Sequence, residues 1–95
     1  MPTYVMLTNL TSEGVKPVKR HPGRVAEVNR EVEALGATVV AQYTTLGQFD
    51  FVSLIEAPSE EVMAKVSIEM GSRGTMKSQT LAALSAERLA EVLAG

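Results

Sequence analysis

The chain has 95 residues, 45% of them apolar and 21% charged, as is usual for one folded globular domain, here expected to span residues 1–95. Its formal net charge of -2 argues against nucleic acid or an anionic membrane as a partner, and the absence of cysteine excludes disulfides, thiolate metal sites and a cysteine nucleophile. No apolar run approaches the roughly 20 residues that span a bilayer, and no signal peptide is recognisable, so a cytoplasmic location is expected.

The first half of the chain alternates between strand and helix signals. Thr3 to Asn9 is rich in β-branched and aromatic residues, which predicts a strand, whereas Leu10 to Val15 has the composition of a loop. A helix is predicted to open at His21-Pro22-Gly23 and to end at Gly36. Between these points apolar residues recur at three- and four-residue spacing, namely Val25, Val28, Val32 and Leu35. Ala37 to Leu46 is predicted to be the second strand.

The second half repeats the alternation. Gly47-Gln48 predicts a chain reversal, and Phe49 to Glu56 a third strand. Ser59 is expected to cap a second helix, which the glycines at 71 and 74 bring to an end. The apolar side of that helix consists of Val62, Met63, Val66 and Met70. Thr75 to Leu81 is a weaker fourth strand, and Ser85 to Leu93 a final helix capped by its serine.

The predicted order is therefore β-α-β-β-α-β-α, an α+β fold of the ferredoxin-like kind with an additional C-terminal helix. Right-handed crossovers place both main helices on one face of a four-stranded antiparallel sheet, with the first and third strands in the middle.

Both central strands carry apolar residues on both faces. Tyr4 and Met6 oppose Val5 and Leu7 in the first strand, and the third strand shows the same pattern with Phe49, Phe51 and Ile55 against Val52 and Leu54. A bare apolar sheet face usually marks an interaction surface, so we expect a second copy of the chain to pack on it, related by a twofold axis. The alternative is that the final helix folds back over the open face of its own subunit.

The stretch LGQFDFVSLIEAP resembles the GYD domain family, named for a Gly-Tyr-Asp signature that corresponds here to Gly47-Gln48-Phe49-Asp50. Further stretches that resemble the family are YVMLTNLTSEGVK, ALGATVVAQYTTLGQFD and EAPSEEVMAKVSIEMGSRG. The resemblance covers Tyr4 to Leu93 and implies a ferredoxin-like subunit of the dimeric α/β-barrel type. It implies no particular activity. Because Phe49 stands where the signature has tyrosine, no phenolic hydroxyl is present there, and the position is expected to need an aromatic ring for packing.

Asp50 is the candidate catalytic residue. A carboxylate at the start of a strand beside an aromatic residue can be desolvated and act as a general acid or base. The alternative is that Asp50 accepts hydrogen bonds from nearby backbone N–H groups in a reversal that Gly47 makes possible through a positive φ. No second carboxylate lies nearby in sequence, so no acid/base pair is predicted.

Four of the nine lysines and arginines lie between residues 16 and 24, namely Lys16, Lys19, Arg20 and Arg24. We expect them just before and within the first turn of the first helix, where they oppose the helix dipole unless they share an anion. They form either an anion-binding site or a solvated loop whose charges face acids of a neighbouring subunit. His21, the only histidine, is either a ligand or proton shuttle or, more simply, a capping or surface residue.

Polar residues of the strands could line a cleft between sheet and helices or between two sheets; these are Tyr4, Thr8, Tyr43, Thr45 and Ser78. With no P-loop, dinucleotide fingerprint or metal-binding spacing, no cofactor and no metal site are predicted. The sequence thus predicts a small self-associating protein that binds a small molecule, with anions among the candidates, in or beside a sheet-to-sheet barrel. The ligand-binding candidates are Tyr4, Thr8, Tyr43, Thr45, Gly47, Phe49, Lys16, Arg20 and Arg24. The alternatives are a cofactor-free oxygenase or isomerase with Asp50 as base and Tyr43 or Tyr4 orienting the substrate, and a purely structural oligomerisation module.

Overall fold

Four antiparallel strands form one sheet, whose order follows from two βαβ crossovers around a central hairpin. The computed structural model describes all 95 residues and contains β1 (Thr3–Leu10), α1 (Ser12–Arg20), α2 (Arg24–Ala34), β2 (Thr38–Thr44), β3 (Phe51–Glu56), α3 (Glu60–Gly71), β4 (Met76–Ala83) and α4 (Ala86–Ala94). The strand order is β2-β3-β1-β4, with the first and third strands in the middle. This order confirms the predicted ferredoxin-like α+β fold.

The predicted helix boundaries agree with the capping residues that the structure shows. The side chain of Ser59 accepts a hydrogen bond from the backbone N–H of Val62, and Ser85 does the same for Arg88. Gly36, which follows the C-cap residue Leu35 of α2, has φ of +105°, a conformation that suits glycine at the end of a helix. The predicted start of α2 is two residues early, because Pro22 and Gly23 form a turn ahead of it.

Helix α1 is not predicted by the sequence, since its segment contains both a glycine and a proline and has the composition of a loop. The helix begins after Thr11, whose hydroxyl oxygen accepts the N–H of Gly14 at 3.2 Å. Thr11 is itself held by residues far along the chain: its N–H donates to the carbonyl of Thr75 at 3.0 Å and its hydroxyl donates to that of Gly74 at 2.8 Å. These tertiary contacts fix the first turn, and Gly14 is buried against the same segment. Tertiary contacts thus override the weak local helix propensity.

The core lies between the sheet and the helices. Alternate residues of the central strands enter it, and α2 and α3 contribute their apolar sides, so that the buried apolar cluster comprises Tyr4, Met6, Val32, Ala37, Ile55, Ala57, Met63, Val66 and Met70. The predicted two-sided pattern of the strands is therefore confirmed on this face, except that Phe49 lies in the loop before β3 rather than in the strand.

The opposite sheet face is open, and α4 does not cover it. Val5, Leu7, Val52 and Leu54 point to this face and remain half-exposed. All nine residues of α4 are exposed, and none of them is buried against the sheet. The alternative in which the final helix folds back over its own subunit is therefore wrong.

Candidate functional site

A cavity of about 70 Å³ lies between the sheet and helices α1 and α2. Most of its lining is aliphatic, and the side chains come from α1, α2, the helix-facing side of the sheet and the end of α3. Its apolar wall includes Met6, Val28, Val39 and Met76. Mostly apolar concavities with a few placed polar groups are the usual form of small-ligand sites.

A row of polar side chains crosses this apolar cavity. The Nδ2 amide of Asn29 donates to Oε1 of Gln42 at 2.9 Å, and the Nε2 amide of Gln42 donates back to Oδ1 of Asn29 at 3.3 Å and to Oγ of Ser53 at 3.0 Å. Ser53 is buried, with 3% of its surface exposed. Between β1 and its other neighbour β4, the hydroxyls of Thr8 and Ser78 lie 3.2 Å apart. The row ties α2 to β2 and β3 through groups that satisfy one another.

Asp50 sits where the pairing of β1 with β3 ends. Its Oδ2 accepts the backbone N–H of Leu10 at 2.8 Å, and its own N–H donates to the carbonyl of Thr8 at 2.9 Å. The carbonyl of Asp50 accepts the N–H of Thr45 at 2.8 Å. The residue therefore links β1 to the β2–β3 connection, and its carboxylate binds the backbone of a distant strand rather than that of its own turn. It also borders a larger outer groove beside α1.

The acidic side chain of Glu31 on α2 lies between two arginines. Arg24 Nη1 is 3.2 Å from Oε1 of Glu31, and Arg73, which follows α3, donates to its other oxygen. The hydrogen bond from Arg73 is the largest influence on the pKa of Glu31 and holds it below its ordinary value of 4.5, against the opposing effect of desolvation. Arg24 stands at the start of α2 but is balanced by Glu31 and Glu27, so the dipole conflict there needs no bound anion.

The remaining basic candidates are not where the sequence placed them. Lys16 and Arg20 belong to helix α1 rather than to a loop before the first helix, and Lys19 and Arg20 lie in its last turn. The predicted conflict with a helix dipole does not arise for Lys19 and Arg20 in α1, because cations at the C-terminal end of a helix are favourable, and Lys16 lies in the middle of that helix. His21 is exposed directly after α1, with Nε2 3.4 Å from a carboxylate oxygen of Glu27.

The structure separates the other candidates into three groups. Thr8 and Arg24 border the inner cavity, whereas Tyr4 is buried in the core. Tyr43 pairs with Val52 and lies on the open sheet face, 63% exposed. The remaining three candidates, Thr45, Gly47 and Phe49, lie in the β2–β3 connection. There the hydroxyl of Thr45 donates to the carbonyl of Phe49 at 2.6 Å, and Gly47 has φ of +125°.

Sequence reasoning missed Asn29, Gln42 and Ser53, the residues that give the cavity its polar row. A signal was present for two of them. Asn29 lies three residues before Val32 in the apolar stripe of α2, and Ser53 interrupts an otherwise apolar third strand. Polar side chains at positions that periodicity assigns to the core generally find buried partners.

Nearly the whole chain matches a known protein family. The GYD domain family matches residues 4–93. The chain belongs to the GYD domain family. A protein of Thermus thermophilus described as a glutamine synthetase and cystathionine beta-lyase binding protein is 41% identical over 85 residues, which are 88% of this chain and 90% of that protein.

Two solved structures are similar to this GYD protein. TTHA0845 from Thermus thermophilus is 22% identical, with a TM-score of 0.58 over 90% of this chain and 96% of the other, and shares the fold. A dimeric ferredoxin-like protein from an uncultured marine organism is 12% identical, with a TM-score of 0.42 over the same shares. No helix of the GYD protein combines the length and apolar character that crossing a membrane requires.

Proposed function

We propose that this GYD protein is a binding protein that self-associates through its open sheet face and, in that form, docks onto a metabolic enzyme. The enzyme partner rests on the relative described as binding glutamine synthetase and cystathionine beta-lyase, since 41% identity over 88% of the chain makes a shared type of partner a reasonable inference. Partners of the same two kinds are the first to test.

The observation that carries the self-association is the apolar open face. Val5 and Leu7 of β1 and Val52 and Leu54 of β3 form its centre, and Tyr43 and Leu81 flank them on the outer strands at 63% and 41% exposure. Exposed contiguous apolar surface of this kind marks interaction sites in soluble proteins. A twofold axis between two such faces pairs each with its own copy and leaves neither exposed.

Light scattering of Val52→Lys tests the self-association. A charge in the middle of the face has to be desolvated in the assembly, so the variant is expected to be monomeric at concentrations where the parent protein is a dimer or larger. Ile68→Lys, at a position 74% exposed on α3, is the matched control and should keep the parent mass. An unchanged mass for Val52→Lys would count against the sheet-face model.

Biolayer interferometry against purified glutamine synthetase and cystathionine beta-lyase, taken from the cell that makes this protein, tests the enzyme partner. Saturable binding to either enzyme that an unrelated enzyme of similar charge does not show is the expected result. Binding to neither enzyme refutes the docking proposal, whatever the state of self-association.

A second function, binding of a small molecule, is favoured by the polar row of Asn29, Gln42 and Ser53 inside an otherwise apolar cavity. This is the function that the sequence favoured, and the proposed site is the cleft between sheet and helices, one of the two clefts that the sequence left open. Native mass spectrometry of protein purified from its own cell tests it. A retained mass that Gln42→Leu abolishes supports the proposal, and a protein that carries nothing even when freshly isolated argues against it.

The enzyme alternative, with Asp50 as base, receives less support from the geometry. Tyr43 lies on the open face and Tyr4 in the core, so neither is positioned with Asp50 around one concavity. If an activity is found, Asp50→Asn is expected to leave it intact. The purely structural module remains the outcome if neither an enzyme partner nor a retained molecule is detected.

A further inference from the structure

Helix α4 is an amphipathic element without a partner in its own subunit. Leu89, Val92 and Leu93 share one side at i, i+3 and i+4 spacing and are 48%, 54% and 77% exposed. An isolated helix of this length is marginal in water, because helices shorter than about 12 residues depend on packing for their stability. The nine residues of α4 therefore need an apolar surface supplied from elsewhere.

An outer groove of about 560 Å³ offers such a surface. It runs beside α1 and the start of α2 at the end of the sheet where Asp50 lies. Its walls are mainly apolar, and its lining residues are Leu10, Val15, Val18, Pro22, Val25, Gln42, Thr44, Asp50 and Phe51. A groove with aliphatic and aromatic walls is the usual receptor for one apolar side of a short helix.

The groove cannot receive the helix of its own chain. Strand β4 pairs with β1 so that Met76 is opposite Leu10 and Ala83 is opposite Thr3. The groove is at the Leu10 end, and α4 leaves from the other end, about 23 Å away along the eight-residue strand. The connection from Ala83 to Ala86 reaches at most about 11 Å and the helix is about 13 Å long, so together they only equal that distance. No length is left for the chain to pass around the sheet to its helix side and lay the apolar residues along the groove.

We propose that α4 of one copy lies in the outer groove of a second copy, with Leu89, Val92 and Leu93 as the inserted side chains. The inference rests on the proposed self-association and adds to it an exchanged arm, that is, helix α4 of each copy bound to the other copy. A face of four strands, eight residues long at most, has a flat area of roughly 500 Å². This is less than the roughly 800 Å² that each partner contributes to a standard stable interface, and the exchanged arm supplies the difference.

The charges of the two elements are complementary. Helix α1 carries three cations, Lys16, Lys19 and Arg20, against one acid, and none of the three forms an ion pair within the subunit. Helix α4 carries two acids, Glu87 and Glu91, against one arginine. Placing an acidic helix beside an unpaired basic one favours this orientation and disfavours two copies of α4 packing against each other.

Disulfide trapping tests the exchange directly, because the chain contains no cysteine of its own. The double variant Val15→Cys/Val92→Cys places one thiol in the groove and one on the arm. Mild oxidation is expected to give covalent dimers on a non-reducing gel, in several-fold higher yield than the control Ile68→Cys/Val92→Cys. The control keeps the arm thiol but moves the other to an outer position on α3.

Light scattering of the same samples distinguishes the exchange of α4 from a dimer held by the sheet faces alone. Covalent dimers in the Val15 variant alone support the exchange. An assembly of parent mass that gives no more covalent product than the control, or an internal cross-link that runs as a monomer, overturns the exchange and leaves the sheet-face dimer standing. A protein that is monomeric throughout overturns both.

Discussion

Replacing Gly14 with alanine is expected to destabilise the fold, although alanine is the better helix former. A Cβ at position 14 would lie 2.0 Å from the carbonyl oxygen of Thr75 and 2.9 Å from its carbonyl carbon. The first distance is about 1.3 Å shorter than an ordinary C···O contact of roughly 3.3 Å. The obstacle is backbone rather than a flexible side chain, so α1 has to move away from the loop that precedes β4.

The size of the effect follows from two opposing contributions. Alanine in place of glycine inside a helix contributes about 1 kcal/mol of favourable propensity. Against this, forcing an extra methyl group into a packed site costs typically about 1–3 kcal/mol, and here the displacement also strains the bonds from Thr11 to Thr75 and Gly74. The difference between these two contributions is about 0–2 kcal/mol, and with the strained hydrogen bonds added we expect a net loss of about 1–2 kcal/mol in the free energy of unfolding.

Gly71→Ala is the matched control. Gly71 is also helical, at the end of α3, has no positive φ and has nothing within 4 Å of the added Cβ. It is expected to leave stability unchanged or raise it by up to about 1 kcal/mol. Urea unfolding followed by circular dichroism, at one fixed protein concentration, gives both values. Equal midpoints for Gly14→Ala and Gly71→Ala would refute the close-approach argument.

Three further predictions concern the polar contacts. Gln42→Leu is expected to lower stability by about 1–3 kcal/mol in urea unfolding, because it removes the partner of the half-buried amide of Asn29 and of the buried hydroxyl of Ser53. Adding Asn29→Leu should recover part of the loss, and a double variant no more stable than Gln42→Leu would contradict this. Asp50→Ala should lower the free energy of unfolding by about 1–2 kcal/mol and speed hydrogen exchange of the Leu10 amide, because that N–H loses its acceptor. The control Glu56→Ala should not change the exchange at Leu10. Unchanged exchange in Asp50→Ala would show that the carboxylate does not protect this N–H. Arg73→Gln should raise the pKa of Glu31 toward 4.5 in an NMR titration, although Arg24 still lowers it in the variant. Since a lowered folded-state pKa stabilises above the unfolded value, the parent protein should lose a larger part of this small contribution than the variant as pH falls below about 4.5; identical titration curves would count against the ion pair.

Much of the fold could be predicted because it is set by local patterns. The serines at 59 and 85 and the glycine at 36 mark helix ends in the sequence and do so in the structure. The predicted boundaries of β2 and β3 extend two residues too far into their connection, since Thr45 and Phe49 have strand-like composition but are used in a hydrogen-bonded loop. Composition cannot show where the pairing of two strands stops.

The candidate site was predictable only in part. The sequence singled out Asp50 as a candidate, but its hydrogen-bond partner, the N–H of Leu10, is 40 residues away and could not be inferred from the turn that contains Asp50. Lys16 and Arg20 were assigned to a loop because helix α1 is fixed by contacts to Gly74 and Thr75 rather than by its own residues. Errors of this type arise where long-range contacts decide a local conformation.

The sequence by itself determined the order of the main elements, the family and the apolar character of both faces of the central strands. These properties depend on residue spacing, which is visible without coordinates. Only the tertiary structure decided that α1 is a helix, that Asn29, Gln42 and Ser53 meet, and that α4 lies away from its own sheet. The physical reason is that each of these depends on groups brought together from distant parts of the chain, whose pairing no local pattern encodes.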